Sequence, residues 1–208
     1  MTKKPLSGIA MFVVASLLAA GCVSVLPKAA PAPARYLMAP AEFAGETGPK
    51  VEWSLAVEDP QSTSVYDTSK IALIREPGQV EYYASGEWAD RGPRLVQAAI
   101  IRSFENSGGI LSVGDRPSLP VSNFVLQTDI RMLHAAYNGG TPTATVVIFA
   151  RLTNARGRVY AAHLFRQEVA AAGATERQIV AAFNEAMTAM LKEMVDWTFA
   201  EADAVYAK

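Results

Sequence analysis

The sequence predicts an α+β fold: one domain in which an antiparallel sheet carries two amphipathic helices packed on one face, preceded by a signal peptide and a Pro/Ala-rich tether. Three observations predict it. Between Phe124 and Val169, apolar and polar residues alternate in three long runs separated by Asn138-Gly139-Gly140 and by Asn154-Ala155-Arg156-Gly157, the pattern of a three-stranded meander. Two other segments, from about Pro93 to Asn106 and from Thr175 to about Asp203, carry their apolar residues at helical spacing instead. Finally, 50% of the 208 residues are hydrophobic, enough for one core of ordinary size.

The chain opens with Lys3 and Lys4, an apolar run from Ile9 to Ala20, and Ala19-Ala20-Gly21 before Cys22. A basic start, a short apolar core and small residues before a cysteine describe a lipoprotein signal peptide over residues 1–21. The apolar run falls short of the roughly 20 residues a spanning helix needs. Cys22 is then the lipid attachment site, taking a diacylglyceryl group on its thiol and a palmitate-type chain on its new amino group. Ala19 departs from the leucine common at that position. Multiple acyl chains hold a protein on a bilayer without any spanning helix. Val23 and Ser24 follow where an aspartate would favour the inner membrane, so the expected address is the periplasmic face of a Gram-negative outer membrane.

Cys22 is the only cysteine, which leaves none for disulfides, thiolate metal sites or a thiol nucleophile once it is lipidated. Loss of Lys3 and Lys4 with the signal takes the net charge from −1 to −3, and nothing basic invites nucleic acid. Mean hydropathy is +0.14, high enough to suggest apolar surface for a partner or lipid.

Residues 22–48 contain Pro27, Pro31, Pro33 and Pro40 interleaved with alanines, which reads as an extended tether. The domain then covers residues 49–204. Strands are expected at Val51–Val57, Lys70–Arg75 and Gln79–Tyr83, the last two joined by Glu76-Pro77-Gly78. Pro93 suits the first turn of the first helix, whose inner side is Leu95, Val96, Ala99, Ile100, Ser103 and Phe104, and Gly108-Gly109 its end. Ile110–Val113 is a short strand. From Phe124, the alternation places Phe124, Leu126, Ile130 and Met132 on a buried face, with Val125, Gln127, Asp129 and Arg131 opposite. In the next strand Ala144, Val146, Ile148, Ala150 and Leu152 alternate with Thr143, Thr145, Val147, Phe149 and Arg151. Thr175 and Gln178 have capping-box spacing before Ile179, Phe183, Met187, Met190, Met194 and Trp197.

Candidate chemistry is sparse. His134 and His163 are the only imidazoles, each in a strand, and read as strand-face residues before a two-histidine site. No glycine loop of phosphate-binding spacing precedes a helix, and no Gly-x-Ser-x-Gly elbow occurs. Neither catalytic residue, metal nor cofactor is expected. The methionines of the last helix read as core first and as an adaptable lipid wall second. Tyr82, Tyr83 and Trp88, before the first helix, are candidate partner contacts, with local packing as the alternative.

The order of these features resembles one family. The lipobox cysteine, the proline-rich tether, Arg35-Tyr36-Leu37, Ile71–Ile74, Tyr82-Tyr83, Glu87-Trp88-Ala89 and Ala182-Phe183-Asn184-Glu185-Ala186 look like the ABC-type transport auxiliary lipoproteins, the PqiC-like outer-membrane lipoproteins. Asp90-Arg91-Gly92-Pro93 departs from the family's usual helix start. The resemblance implies a non-catalytic component of a mammalian-cell-entry (MCE) type lipid transport system. Its partners would be an MCE-domain protein and its inner-membrane ABC transporter, the outer membrane through the lipid anchor, and further copies of itself in a homo-oligomer. Two other readings compete: an outer-membrane assembly or cell-wall synthase helper, and a periplasmic hydrolase using Asp129 or His134.

Overall fold

Strand β7 (Phe124–Ala136) is the spine of the domain, and the two ways in which its edges are filled account for the topology. The computed structural model describes residues 32–43, 50–137 and 139–207, so the signal peptide and Cys22 lie outside the described residues. The compact unit described here begins at Pro33.

Along one edge of β7, the strand β8 (Thr143–Thr153) runs antiparallel from Val125↔Thr153 to Ala136↔Thr143. Strand β9 (Val159–Ala170) continues antiparallel from Thr153↔Val159 to Thr143↔Ala170. Short turns with left-handed Gly139 (φ 79°) and Gly157 (φ 83°) join these strands, a conformation that favours glycine. This is the meander the alternation predicts.

The other edge of β7 is shared by three short strands, all parallel to it. β2 (Ser54–Val57) pairs at Leu55↔Phe124, β3 (Gln61–Ser62) at Gln61↔Asp129, and β4 (Lys70–Ile74) at Ala72↔His134. From there the sheet branches. β5 (Glu81–Trp88) lies antiparallel to β4, and β1 (Ala34–Tyr36) parallel to β5, while β6 (Ser112–Asp115) lies parallel to β2. The α+β class holds, and the nine-stranded sheet is mixed: antiparallel in the meander and at β4–β5, parallel elsewhere. Helix α1 (Gly92–Asn106) carries the chain from β5, beyond β4, to β6 on the far side of β2. β1 lies in the stretch read as tether, and Met38 and Ala41 just after it are also buried.

Helix α2 (Glu176–Tyr206) starts at a complete capping box, Thr175 with Gln178, as the spacing predicts. It packs with α1 on one face of the sheet. The core between them takes Leu126, Ile130, Ile148, Leu152 and Phe165 from the sheet and Phe104, Phe183, Met187, Met190 and Met194 from the helices. The three methionines are 0% exposed, so they belong to the core and form no open wall. Each large apolar side chain buried this way contributes about 1.5–3 kcal/mol.

One position contradicts the alternation. Met132 does not share the buried face of Phe124, Leu126 and Ile130, because the ladder passes from Ile130↔Ile148 to Met132↔Val147 and leaves Arg131 unmatched. That bulge shifts the phase by one residue. Leu133 and Ala135 take over the core side, and Met132 moves to the far face.

Candidate functional site

Among the described residues no helix packs on the far face of the meander, and its apolar side chains form one patch outside the core. Met132 reaches it through the bulge, Val147 and Phe149 through the second alternation set of β8, and Leu164 from β9 opposite Phe149. With Arg131 and Arg166 they line a shallow depression of about 450 Å³. Leu164 is 52% exposed, unusual for a large aliphatic residue in mid-strand.

Arginines bound this depression. The Arg131 guanidinium bonds Asp129 at 3.0 Å and lies 6.0 Å from the Phe149 ring centre, with that of Arg151 at 5.7 Å on the same ring. Arg166 pairs with Glu168 at 2.7 Å. These exposed pairs contribute little to stability and leave a surface both apolar and charged.

Toward the β4 end, the same face holds His134, 8% exposed, next to Ala72 of β4 and Thr145 of β8. Burial holds its imidazole below the ordinary histidine range, against the weaker pull of Glu168. The ring is therefore neutral near pH 7, and the Tyr66 hydroxyl is hydrogen-bonded with its Nδ1 at 2.9 Å. Burial in turn pushes the Tyr66 phenol up. His163 sits opposite Ala150 on the helix side of the sheet, near Trp197 and 3.7 Å from Glu193. The two imidazoles thus lie on opposite faces and share no site. Asp129 is paired with Arg131.

A second, polar cleft of about 540 Å³ opens between the β2–β3 link, α1 and the end of β6. Glu58, Asp59 and Asp115 face Arg94 and Arg116 across it, and Gln97 donates to the Val57 carbonyl at 3.1 Å. Arg116 approaches Glu58 only to 3.8 Å. The Ser118 hydroxyl and backbone N–H hold the Asp115 carboxyl below its usual range.

The three candidate contacts before α1 separate. Trp88 is 2% exposed and packs edge-on against Phe183 at 5.4 Å, so it belongs to the core. Tyr83 is half-buried, with its hydroxyl 3.2 Å from that of Tyr137 and its own ionisation pushed up by burial. Tyr82 alone is open, 37% exposed, with the Lys70 ammonium 5.4 Å from its ring. Alternation in β5 separates Tyr82 from Tyr83, and the irregularity in the β4–β5 ladder between Lys70↔Glu87 and Ala72↔Tyr82 breaks that alternation before Trp88. The Met132, Val147, Phe149 and Leu164 surface is absent from the candidates read in the sequence, although a β8 apolar on both sides of its alternation carried the signal.

Among the described residues no helix is long and apolar enough to cross a membrane. Across known proteins, the sequence pattern of the ABC-type transport auxiliary lipoprotein component matches residues 36–195. An uncharacterised protein of Bradyrhizobium diazoefficiens is 30% identical over 145 residues, covering 70% of this chain and 39% of that protein. The chain therefore spans well under half the length of that relative. Among solved structures, a Xanthomonas campestris protein superposes with a TM-score of 0.77 at 24% identity, covering 86% of this chain and all of that one. A hypothetical protein of Chlamydia trachomatis superposes with a TM-score of 0.52 at 10% identity, over 74% of this chain and 99% of that one. At these identities the superpositions establish the fold.

Proposed function

The chain belongs to the ABC-type transport auxiliary lipoprotein family, and from that premise we propose that it is a non-catalytic component docking a periplasmic MCE tunnel to the outer membrane. The observation that carries this reading is the family match across residues 36–195, which spans both halves of the sheet and most of α2. In this reading Cys22 bears the lipid and holds the protein on the periplasmic face of the outer membrane. The residues after it carry the domain into the periplasm, and the inner-membrane ABC transporter drives lipid through the partner tunnel.

The geometry supports a contact role. The open meander face offers an apolar strip with arginines at its margins, the composition of a protein-binding surface. Tyr82 adds an exposed aromatic at the β5 end of the same face.

A pull-down of the lipidated protein from detergent-solubilised membranes, with Cys22→Ala beside it, tests the proposal. An MCE-domain protein recovered with the natural chain, and loss of outer-membrane fractionation in Cys22→Ala, is the expected result. Recovery of no transporter component while the protein still fractionates with the outer membrane would overturn the docking reading.

A further inference from the structure

We infer that the polar cleft at the ends of β2 and β6 binds a zwitterion joining a phosphate ester to a primary amine, the phosphoethanolamine group, either free or at the head of a lipid. This goes beyond the docking reading and stands without it.

The cleft lies where strands end together. β2 and β6 run parallel with Val57↔Asp115, so their carboxyl ends leave the sheet side by side. Such ends are the common ligand position in open parallel sheets. Glu58 and Asp59 follow β2, Arg116 follows β6, and Arg94 enters from the first turn of α1. That turn has neither a side-chain cap nor an acidic residue, so its positive end is not neutralised locally.

Opposite charges stand apart in this cleft instead of pairing. Among the described residues, the nearest approach of unlike charges across it is Arg116 to Glu58 at 3.8 Å, beyond hydrogen-bond distance. Arg94 and Asp59, both exposed, have no ion pair among the described residues. The Asp115 carboxylate is engaged by the Ser118 N–H at 2.8 Å. Two acids on the β2–β3 link and two guanidiniums opposite are left uncommitted. Three buried side-chain polar atoms among the described residues lack a hydrogen-bond partner, and two of them flank this link: Arg116 Nη1 and Thr128 Oγ1. Thr128, 3% exposed, lines a smaller hollow of about 200 Å³ that shares Glu58, Asp59 and Gln61 with the cleft. Buried polar groups are ordinarily matched within the protein, so unmatched ones gathered at one place point to a partner from outside the chain.

The two walls select that partner. One bidentate guanidinium satisfies a carboxylate, whereas two guanidiniums from different elements suit the additional oxygens of a phosphate. A bare phosphate meets Glu58 and Asp59 with like charge, and an ammonium a few bonds away turns that repulsion into attraction. At about 540 Å³ the cleft admits such a group, while its charged lining offers no place for acyl chains, which remain outside.

The test uses the full lipidated chain in detergent micelles, read by the backbone amide shifts of residues 58, 59, 61 and 116. Phosphoethanolamine is expected to move these amides saturably, with inorganic phosphate and ethanolamine each binding at least about tenfold more weakly. Arg94→Gln, at an exposed position, should weaken phosphoethanolamine and phosphate alike, by about tenfold. Asp59→Asn, also exposed, should weaken phosphoethanolamine by about fivefold while strengthening phosphate, a reversal that misfolding does not produce. Phosphatidylethanolamine added to the micelles, beside phosphatidylglycerol that lacks the amine, separates the sources. Movement of the same amides by the first lipid and not the second assigns a lipid headgroup, and movement by the free ester alone assigns a soluble ligand, each upholding the site. No saturable shift with either form, equal shifts with both lipids, phosphate binding as tightly as phosphoethanolamine, or an unchanged preference between those two in Asp59→Asn would each overturn the proposal.

Discussion

The two edges of β7 solve the same problem in opposite ways. On one side a single long strand answers it residue for residue, from Val125↔Thr153 to Ala136↔Thr143. On the other, three strands of two to five residues share the edge, all parallel and drawn from residues 54–74. The meander satisfies its backbone by ladder bonds. The patchwork half leaves backbone groups between its short strands, and side chains satisfy them: Asn123 Oδ1 accepts from the Ser54 N–H at 2.9 Å, Ser103 Oγ from the Ala41 N–H at 2.9 Å, and Asn184 Oδ1 from the Ala39 N–H at 3.0 Å. Buried backbone groups must find partners, and here specific residues supply what register supplies elsewhere. The meander should therefore tolerate single substitutions that the patchwork does not.

The largest effect that tests this contrast is expected at Trp53, just before β2. Its indole N–H donates to Asp203 Oδ1 at 2.7 Å, and its rings lie 5.5 Å from Phe124 and 5.3 Å from Phe199. It thus ties the patchwork to the meander and to the last turns of α2. Trp53→Ala should cost about 3–5 kcal/mol, against about 0.5–1.5 kcal/mol for Ile148→Val at the centre of β8. Urea unfolding of both variants measures the difference, and similar losses would erase the distinction between the halves.

A smaller effect is expected at Asn123. Its Oδ1 accepts from the Ser54 N–H and, at 3.0 Å, from the Ser54 hydroxyl, and Ser54 is 9% exposed. Asn123→Ala leaves that buried N–H without a partner and should cost about 1–3 kcal/mol, with the loss of amide exchange protection concentrated in β2. Uniform loss of protection across β8 and β9 would show that the link serves the whole sheet.

The same contrast explains what the sequence made legible. Period-two alternation and glycine turns located β7, β8 and β9, and the spacing of Thr175 with Gln178 placed the start of α2. Alternation cannot register an extra residue in mid-strand, so it assigned Met132 to the wrong face, and the apolar surface that Met132 shares with Phe149 and Leu164 went unread. β1 has three residues between Pro33 and Pro40, too few to show a period, and its strand character comes from β5. The parallel pairing of β2, β3 and β4 with β7 joins residues some 60 to 70 positions apart, and no local pattern encodes it. Of the candidate contacts, alternation alone separates exposed Tyr82 from half-buried Tyr83, whereas the burial of Trp88 depends on Phe183, far away in the chain.

The smallest effect sharpens the comparison where the halves touch. Tyr66, in the link between β3 and β4, meets the meander at His134 of β7, its hydroxyl 2.9 Å from the ring Nδ1. The groups around that ring are Ala72, Thr145, Tyr66 and the more distant Glu168, and burial outweighs the carboxylate. Because the folded value is depressed below the ordinary 6.5, the unfolded chain binds this proton first. Stability is then fully present above about pH 6.5, declines as pH falls from there toward the folded value, and levels off below it. Urea midpoints of the natural chain and of His134→Gln, followed from pH 8 to pH 5, should diverge in slope only within that window, with carboxylate titrations cancelling between the two. Tyr66→Phe keeps the burial that depresses His134, so its slope should follow that of the natural chain. Parallel curves for all three would mean that burial leaves His134 titrating alike in the folded and unfolded chain, and that its contact with the link between β3 and β4 carries no pH-dependent share of the joint between the halves.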